Sequence, residues 1–586
     1  MLMSDCADPK LDQRMFIFIY YWLIVIGCLL VCSCAGPEEK DLKNSNKSFL
    51  TEITFEVNLH FVQDPAVDGK YYMPESIGSG GAFLDYDNDG DLDIYLLNGA
   101  YHDTSKRDNP PLTNHLYRQE ADGKFTDVTG SSGLGDQGYG MGVAIGDIDN
   151  DGFVDVYISN DGPDSLYRNN GDGTFENITV LAGIYNPDWG ISVTFLDYNL
   201  DNFLDIYVTN YVDYDTAVIC TDRVGSQDYC GPQGFPGYPD RLFRNNGDLT
   251  FTDVTVATGI ADSPSAGLGV ISADFNNDSY PDIYVSNDRK YNQLWLNQKD
   301  GTFADHALML GTAINGMGMA EASMGIALGD ADNDLDMDLF LGHFRGETNT
   351  LYRNSGEIGF EDFTTQAGLG VVSLPYTSFG TGFFDYDHDG DLDIAVVNGR
   401  VIRGPLLTNE ESVTYWDYYA EPNLFFDNDG TGKFTDISQD ALEFTGQIEN
   451  SRALVFGDID NDGDIDLLVT NEGGQARLYR NDKQKTGNWL MVRAIDAGLK
   501  RDIYGAKVTV HSDKGSFVRL VNAGYSFCSS NDPRVHFGLG NSSVIEKVSI
   551  EWPGGAREEY RGIEPNTFVV LSKGEGQQAR SGHNIQ

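Results

Sequence analysis

The chain has 586 residues, 40% hydrophobic and 12% aromatic, enough to bury more than one core. Its formal charge of −51 argues against nucleic acid as a partner, because binding a polyanion requires a positive footprint. The 67 glycines suit a fold with many tight turns.

Residues 1–34 read as an export signal: Lys10 and Arg14 precede an apolar run from Met15 to Val31, followed by CSCAG. VCSC resembles a bacterial lipobox and makes Cys34 the candidate for lipidation, with Cys28 in VIGC as the alternative. A cleaved signal peptide and a signal anchor are the other readings. Each puts the bulk of the chain outside the cytoplasm, at the cell surface, on the outer membrane or secreted, and touching a membrane only through this anchor. Residues 35–47 form a linker.

Residues 48–486 are built on a repeated acidic loop. Seven copies stand 50 to 77 residues apart. Carboxylates or amides at positions 1, 3, 5 and 9 of a tight loop converge as oxygen ligands for a hard cation, here Ca²⁺. The ligand sets are Asp85, Asp87, Asp89 and Asp93; Asp147, Asp149, Asp151 and Asp155; Asp197, Asn199, Asp201 and Asp205; and Asp274, Asn276, Asp278 and Asp282. The remaining three are Asp330, Asp332, Asp334 and Asp338; Asp385, Asp387, Asp389 and Asp393; and Asp458, Asp460, Asp462 and Asp466. Four copies are complete, with glycine at position 6 (Gly90, Gly152, Gly390, Gly463) where a positive φ lets the chain wrap an ion. Ser279 and Leu335 at that position rank the loops at Asp274 and Asp330 as the weakest. Between four and seven bound Ca²⁺ are expected. An EF-hand is excluded: Leu96 and Ile158 stand where it needs glutamate, and strand-like runs such as DIYLLN follow the loops.

Each loop sits within a unit of four strands: a Gly-flanked run, the run after the loop, an LYRN-type run, and a run led by Phe125, Phe175, Phe251, Phe303, Phe360 or Phe434. Repetition at this period predicts an all-β, seven-bladed β-propeller. The seventh unit lacks its Phe-led strand, and FLTEIT at residues 49–54 supplies it from the other end of the chain. Pairing the two would close the ring.

In the insertion between Tyr211 and Pro239, Cys220 and Cys230 are placed to form a disulfide, with free thiols or half a zinc site as alternatives. A second insertion, residues 401–422, carries VTYWDYYAEP, whose aromatics either anchor a ligand or pack on the propeller. Residues 487–573 alternate without acidic loops and predict a small β-sandwich-like domain. Cys528 there reads as an inert strand residue, His536 as a satisfied one, and His343 and His388 as turn residues. Residues 574–586 are expected to be disordered.

The acidic repeats are similar to FG-GAP/VCBS repeats, the units of integrin α-chain propellers. YCGP, the LYRN strands and the stretch from GAKVTV through NDPRVHFGLG to IEWPGG resemble the ASPIC/UnbV family, which includes cartilage acidic protein. The resemblance spans roughly residues 49–573 and implies a calcium-binding propeller, secreted or at a surface, with no settled activity. The chain carries no GxSxG, HExxH, P-loop or CxxC motif. It is therefore read as a non-enzymatic binding or adhesion module for a protein or glycan of the cell surface or matrix. The alternative is a calcium-dependent polysaccharide lyase or an accessory protein of a biosynthetic pathway.

Overall fold

The computed structural model describes residues 48–102, 111–222, 224–408 and 413–578. The expected export signal, with Cys28 and Cys34, and the expected linker lie outside them. Among the described residues, no helix is long and apolar enough to cross a membrane.

Seven antiparallel sheets with the same four-strand order run along residues 50–481. In blade 1 the strands are Gly81–Leu84, Asp93–Leu96, His115–Gln119 and Phe125–Asp127. The inner strands neighbour one another in a ring, and the last, Ser451–Gly457, returns to Gly81–Leu84. This is a β-propeller. Blades stack face to face, so strands such as Asp155–Asn160 are buried on both sides and read as nearly continuous apolar runs. Near the axis neighbouring blades come so close that a Cβ on Gly142 or Gly325 would lie 2.1 Å from the carbonyl oxygen of Ile191 or Phe379. Leu50–Glu52 closes the ring as the outer strand of blade 7, with Leu50 opposite Asn481 and Glu52 opposite Tyr479.

Residues after 487 form a two-sheet module. Trp489–Asp496 pairs with Val535–Gly538, with Arg501–Asp502 and, in parallel, with Thr567–Ser572. The second sheet runs in the order Ser516–Leu520, Lys507–Ser512, Ile545–Glu551, Arg557–Tyr560, Gln577–Gln578. Trp552, Val508, Val510 and Phe537 fill the space between them. The strand at Arg557–Tyr560 has no apolar alternation to announce it. Order also runs past residue 574, contrary to the expected start of the tail, because Gln577 and Gln578 pair with Glu559 and Glu558.

Between Leu520 and Val535 the chain leaves this module and enters the ring. Asn522 Nδ2 donates to Ser272 O of blade 4 (2.9 Å), and Ser526 exchanges backbone hydrogen bonds with Ile326 of blade 5 (2.8 and 3.0 Å). Ser526 Oγ accepts from Thr381 N of blade 6 (3.1 Å), and Cys528 N donates to Ser192 Oγ of blade 3 (3.1 Å). Ser529–Ser530 pairs in parallel with Gly81–Ala82 of blade 1. Ser530 Oγ accepts from Ile145 N of blade 2 (3.2 Å), and Asn531 Oδ1 accepts from Phe456 N of blade 7 (2.9 Å). One short segment therefore bonds all seven blades and satisfies backbone groups that the inner strands leave unpaired. Cys528 is buried as expected but lies off any strand, at φ +55°.

Candidate metal centres

Every acidic loop is the tip of the hairpin between the first and second strands of a blade. Two left-handed residues make the turn. Position 4 is Asn88, Asn150, Leu200, Asn277, Asn333, His388 or Asn461, and position 6 follows two residues later. Sequence reasoning found position 6 and missed position 4, although the recurrence of asparagine, which tolerates this conformation, was the available signal.

The position-1 carboxylate pins the turn. Asp147 accepts from Asp151 N (3.2 Å) and Gly152 N (2.9 Å), and Asp85, Asp197, Asp274, Asp330 and Asp458 do the same. Asp385 takes His388 N and Gly390 N instead.

Position 9 is a clasp. One oxygen of Asp155 accepts from Ile148 N (2.9 Å), inside the loop, and the other accepts from Asn169 N (2.8 Å) on the LYRN strand. The equivalent pair forms at Asp93, Asp205, Asp282, Asp338, Asp393 and Asp466. The closing asparagine of LYRN then ties blades together: Asn169 Nδ2 donates to Tyr86 O of the preceding blade, as Asn245 does to Ile148 O and Asn481 to Tyr386 O. The sequence marked these runs as strands and did not disclose the link.

In five loops the carboxylates at positions 1, 3 and 9 offer oxygens within 4.8 Å of one another: Asp85, Asp87, Asp93; Asp147, Asp149, Asp155; Asp330, Asp332, Asp338; Asp385, Asp387, Asp393; and Asp458, Asp460, Asp466. Position 5 stays outside these triples. Asp89, Asp151, Asp334, Asp389 and Asp462 each accept the N–H of position 7, as Asp201 and Asp278 do in the other two loops. In those two loops the position-3 amide also turns to the backbone: Asn199 Oδ1 accepts from Asp201 N and Asn276 Oδ1 from Asp278 N, both at 3.0 Å. The Asp330 loop, ranked with the Asp274 loop as weakest, nevertheless brings its three carboxylates together, whereas the Asp274 loop is not among the five. Leu335 adopts φ +76° and the triple assembles regardless. That conformation costs an L-residue roughly 1–2 kcal/mol, and Leu335 is half-exposed, so it gives little packing in return. Leu335→Gly is expected to raise stability by up to about 1 kcal/mol after glycine's own entropy cost, read by chemical denaturation.

These triples fit a cation. Asp87 Oδ1, Asp149 Oδ1 and Asp332 Oδ1 are buried without any hydrogen-bond partner. The outer oxygen of Asp149 is held by Arg168 Nε (2.5 Å), which comes from LYRN and leaves the inner oxygen facing Asp147 and Asp155. Burial pushes Asp93, Asp282 and Asp338 up to about 8, and Asp85, Asp147, Asp197 and Asp330 to about 6, with neighbouring carboxylates adding to the shift in most of these loops. Asp149→Asn should therefore weaken metal binding and leave the metal-free stability nearly unchanged. Asp155→Asn should cost roughly 2–3 kcal/mol with or without metal, because an amide cannot accept both backbone donors. Thermal melts of both variants in calcium and in chelator would separate ligand from clasp.

His388 is the turn residue it was read as, at φ +66°, but His343 departs from that reading. His343 ends a strand, far from a loop tip, with Ser323 Oγ and Thr348 O at its ring nitrogens. His536 is buried, with its ring 4.9 Å from that of His388.

The C-terminal module lies over the loops: Arg501 Nε donates to Asn150 Oδ1 (2.9 Å), Lys507 Nζ to Asn277 Oδ1 (3.2 Å), Arg534 to Asn461 Oδ1 (2.7 Å) and Gly540 N to His388 O (2.8 Å). The long insertions leave the other end of the strands, after Asn210 and Asn398. Cys220 and Cys230 form a disulfide. Tyr415 OH bonds Tyr229 OH (3.1 Å), Tyr419 OH donates to Asp228 (2.8 Å), and Trp416 stacks parallel to Tyr229. The aromatics of the second insertion thus lock onto the first. Packing accounts for them.

Residues 85–158, 147–208, 229–285, 274–341, 330–396 and 413–469 match the FG-GAP-like repeat, and residues 497–578 match the ASPIC and UnbV family. The chain belongs to the FG-GAP-like repeat family. Cartilage acidic protein 1 of Mus musculus and of Homo sapiens are each 26% identical to this FG-GAP-like repeat protein over 359 residues, 58% of its length. The match spans about half the length of either relative, 51% and 50%. Among solved structures, the BP39L lectin from Burkholderia pseudomallei aligns with 70% of the FG-GAP-like repeat chain and 97% of its own, at 9% identity and a TM-score of 0.40. A likeness that weak adds nothing to what the sheet order shows.

Proposed function

We propose that this protein is an extracellular binding module in which calcium at the hairpin tips holds a strongly anionic propeller in shape. The reading rests above all on the buried, unpartnered oxygens of Asp87, Asp149 and Asp332, each facing two further carboxylates. Positions 1, 3 and 9 of the five clustered loops would hold the ion. Asp197, Asn199 and Asp205, and Asp274, Asn276 and Asp282, would do so with one amide oxygen in place of a carboxylate. Bound calcium supplies positive charge that lets the carboxylates stay ionised. The Cys220–Cys230 disulfide supports an oxidising compartment, and a lipid on Cys34, or on Cys28, would tether the module to a membrane. The C-terminal module overlies the loop tips, which leaves the insertion-bearing face as the one that meets a protein or glycan of the surface or matrix. A protein and glycan array probed with the full chain is expected to give ligands in calcium that are lost in chelator. Ligands retained equally in chelator would contradict the reading.

A further inference from the structure

The insertion-bearing face holds a cavity of about 890 Å³ whose charge is opposite to that of the rest of the chain. Arg289, Arg345, Arg400 and Arg403 line it. Arg400 is already paired, its Nε donating to Glu421 Oε1 at 2.9 Å. Arg403 reaches Tyr71 OH (3.2 Å), but its Nε is buried with no partner. Arg289 and Arg345 are exposed and within ion-pair distance of no carboxylate of the described residues, although Asp288 and the buried Glu421 lie near enough to interact with Arg289 and Arg345 respectively. The acid in the lining, Asp222, spends Oδ1 on Val224 N and Ser226 N of its own turn. In a chain of net charge −51, four guanidinium groups around one cavity, two of them exposed and outside ion-pair distance of any carboxylate of the described residues, make a locally positive surface that solubility does not explain.

Between the arginines the walls are apolar: Phe344, Leu374 and the partly exposed Ile402. A sugar would ask for a free aromatic face. Phe344 has the Arg289 guanidinium 4.9 Å from its ring centre, and the neighbouring tyrosines and tryptophan are locked against one another. Carboxylates and aliphatic side chains alternating along an extended strand meet both kinds of wall, and guanidinium forks suit carboxylates in particular.

We propose that this cavity is a docking site for an acidic peptide segment of a partner protein, gripped by Arg289 and Arg345 with Arg403 behind them. The proposal rests on the binding-module reading above and names its partner class and face.

The test is fluorescence anisotropy with the full chain in calcium, using a labelled short peptide of alternating Glu and Leu and a Lys/Leu counterpart. The Glu/Leu peptide should bind and the Lys/Leu peptide should not. Arg289→Glu combined with Arg345→Glu should weaken binding about tenfold or more, the loss expected for a charge-assisted pair, with an unchanged melting temperature. If that variant unfolds, Arg345→Gln alone should still weaken binding at native stability. No binding, or equal binding by the variants, overturns the proposal. So does a sulfated polysaccharide that binds in place of the peptide and is lost in the same variants, or self-association of the chain that the variants abolish. The array result stands apart from these outcomes: array ligands retained by the Arg289/Arg345 variant would leave the binding-module reading intact while the cavity assignment falls.

Discussion

Adding a chelator to the full chain is expected to lower its melting temperature by about 10 °C or more. A site filled at a hundredfold excess of calcium over its Kd contributes about 2.7 kcal/mol to the folded state, and five clustered loops together reach on the order of 10 kcal/mol. The pH dependence should invert at the same time. A carboxyl group whose folded pKa lies above its unfolded value adds stability that is fully present below the unfolded pKa and is lost as pH rises through the folded one. With Asp85, Asp147, Asp197 and Asp330 near 6 and Asp93, Asp282 and Asp338 near 8, against an ordinary 3.8, the metal-free protein should lose stability steadily from about pH 4 to pH 8. The calcium-loaded protein should gain over that range, because the ion binds the ionised groups. Melts across pH with and without chelator give both curves. Parallel curves would show that no ion is held by these carboxylates.

Cutting the segment that threads the ring should have the second-largest effect. Asn531 accepts from Phe456 N and donates to Ala523 O, both buried, and to Tyr525 O, partly buried. Asn531→Ala removes three hydrogen bonds and strands a buried N–H, a cost of roughly 3 kcal/mol. Replacing residues 522–531 by a Gly/Ser linker should go further, because every blade loses a hydrogen-bond partner at the axis. The melt should then split into two transitions, one for the ring and one for the C-terminal module. A single unshifted transition would mean that the ring stands without its central segment.

The contrast between these two features shows what a sequence of this kind discloses. Ligand chemistry demands Asp or Asn at fixed spacing, so the loops at Asp85 through Asp458 are legible at sight, and the strands flanking them follow from alternation and turn residues. The closure by Leu50–Glu52 is legible from a missing strand at one end and a surplus one at the other. Residues 522–532 are not. They are Asn, Ala, Gly, Tyr, Ser, Phe, Cys and Asp, whose partners lie up to several hundred residues away, and nothing local distinguishes such a segment from a loop. The division of labour within the loops was also hidden. Position 5 looks like position 3 in sequence, yet the turn draws Asp151 toward Phe153 N and leaves Asp149 facing inward. Position 9 reads as a ligand, but two backbone donors show that it also clasps the LYRN strand. The Asp330 loop, ranked low on Leu335, still assembles its carboxylate triple: a strain of roughly 1–2 kcal/mol is small beside the packing of a whole blade.

The most direct test of the central claim is a count of bound ions by native mass spectrometry on the chelated protein titrated with calcium. The account predicts between four and seven Ca²⁺ per chain, with the Asp149→Asn variant short by one. A chain that takes up no calcium while remaining folded would contradict it.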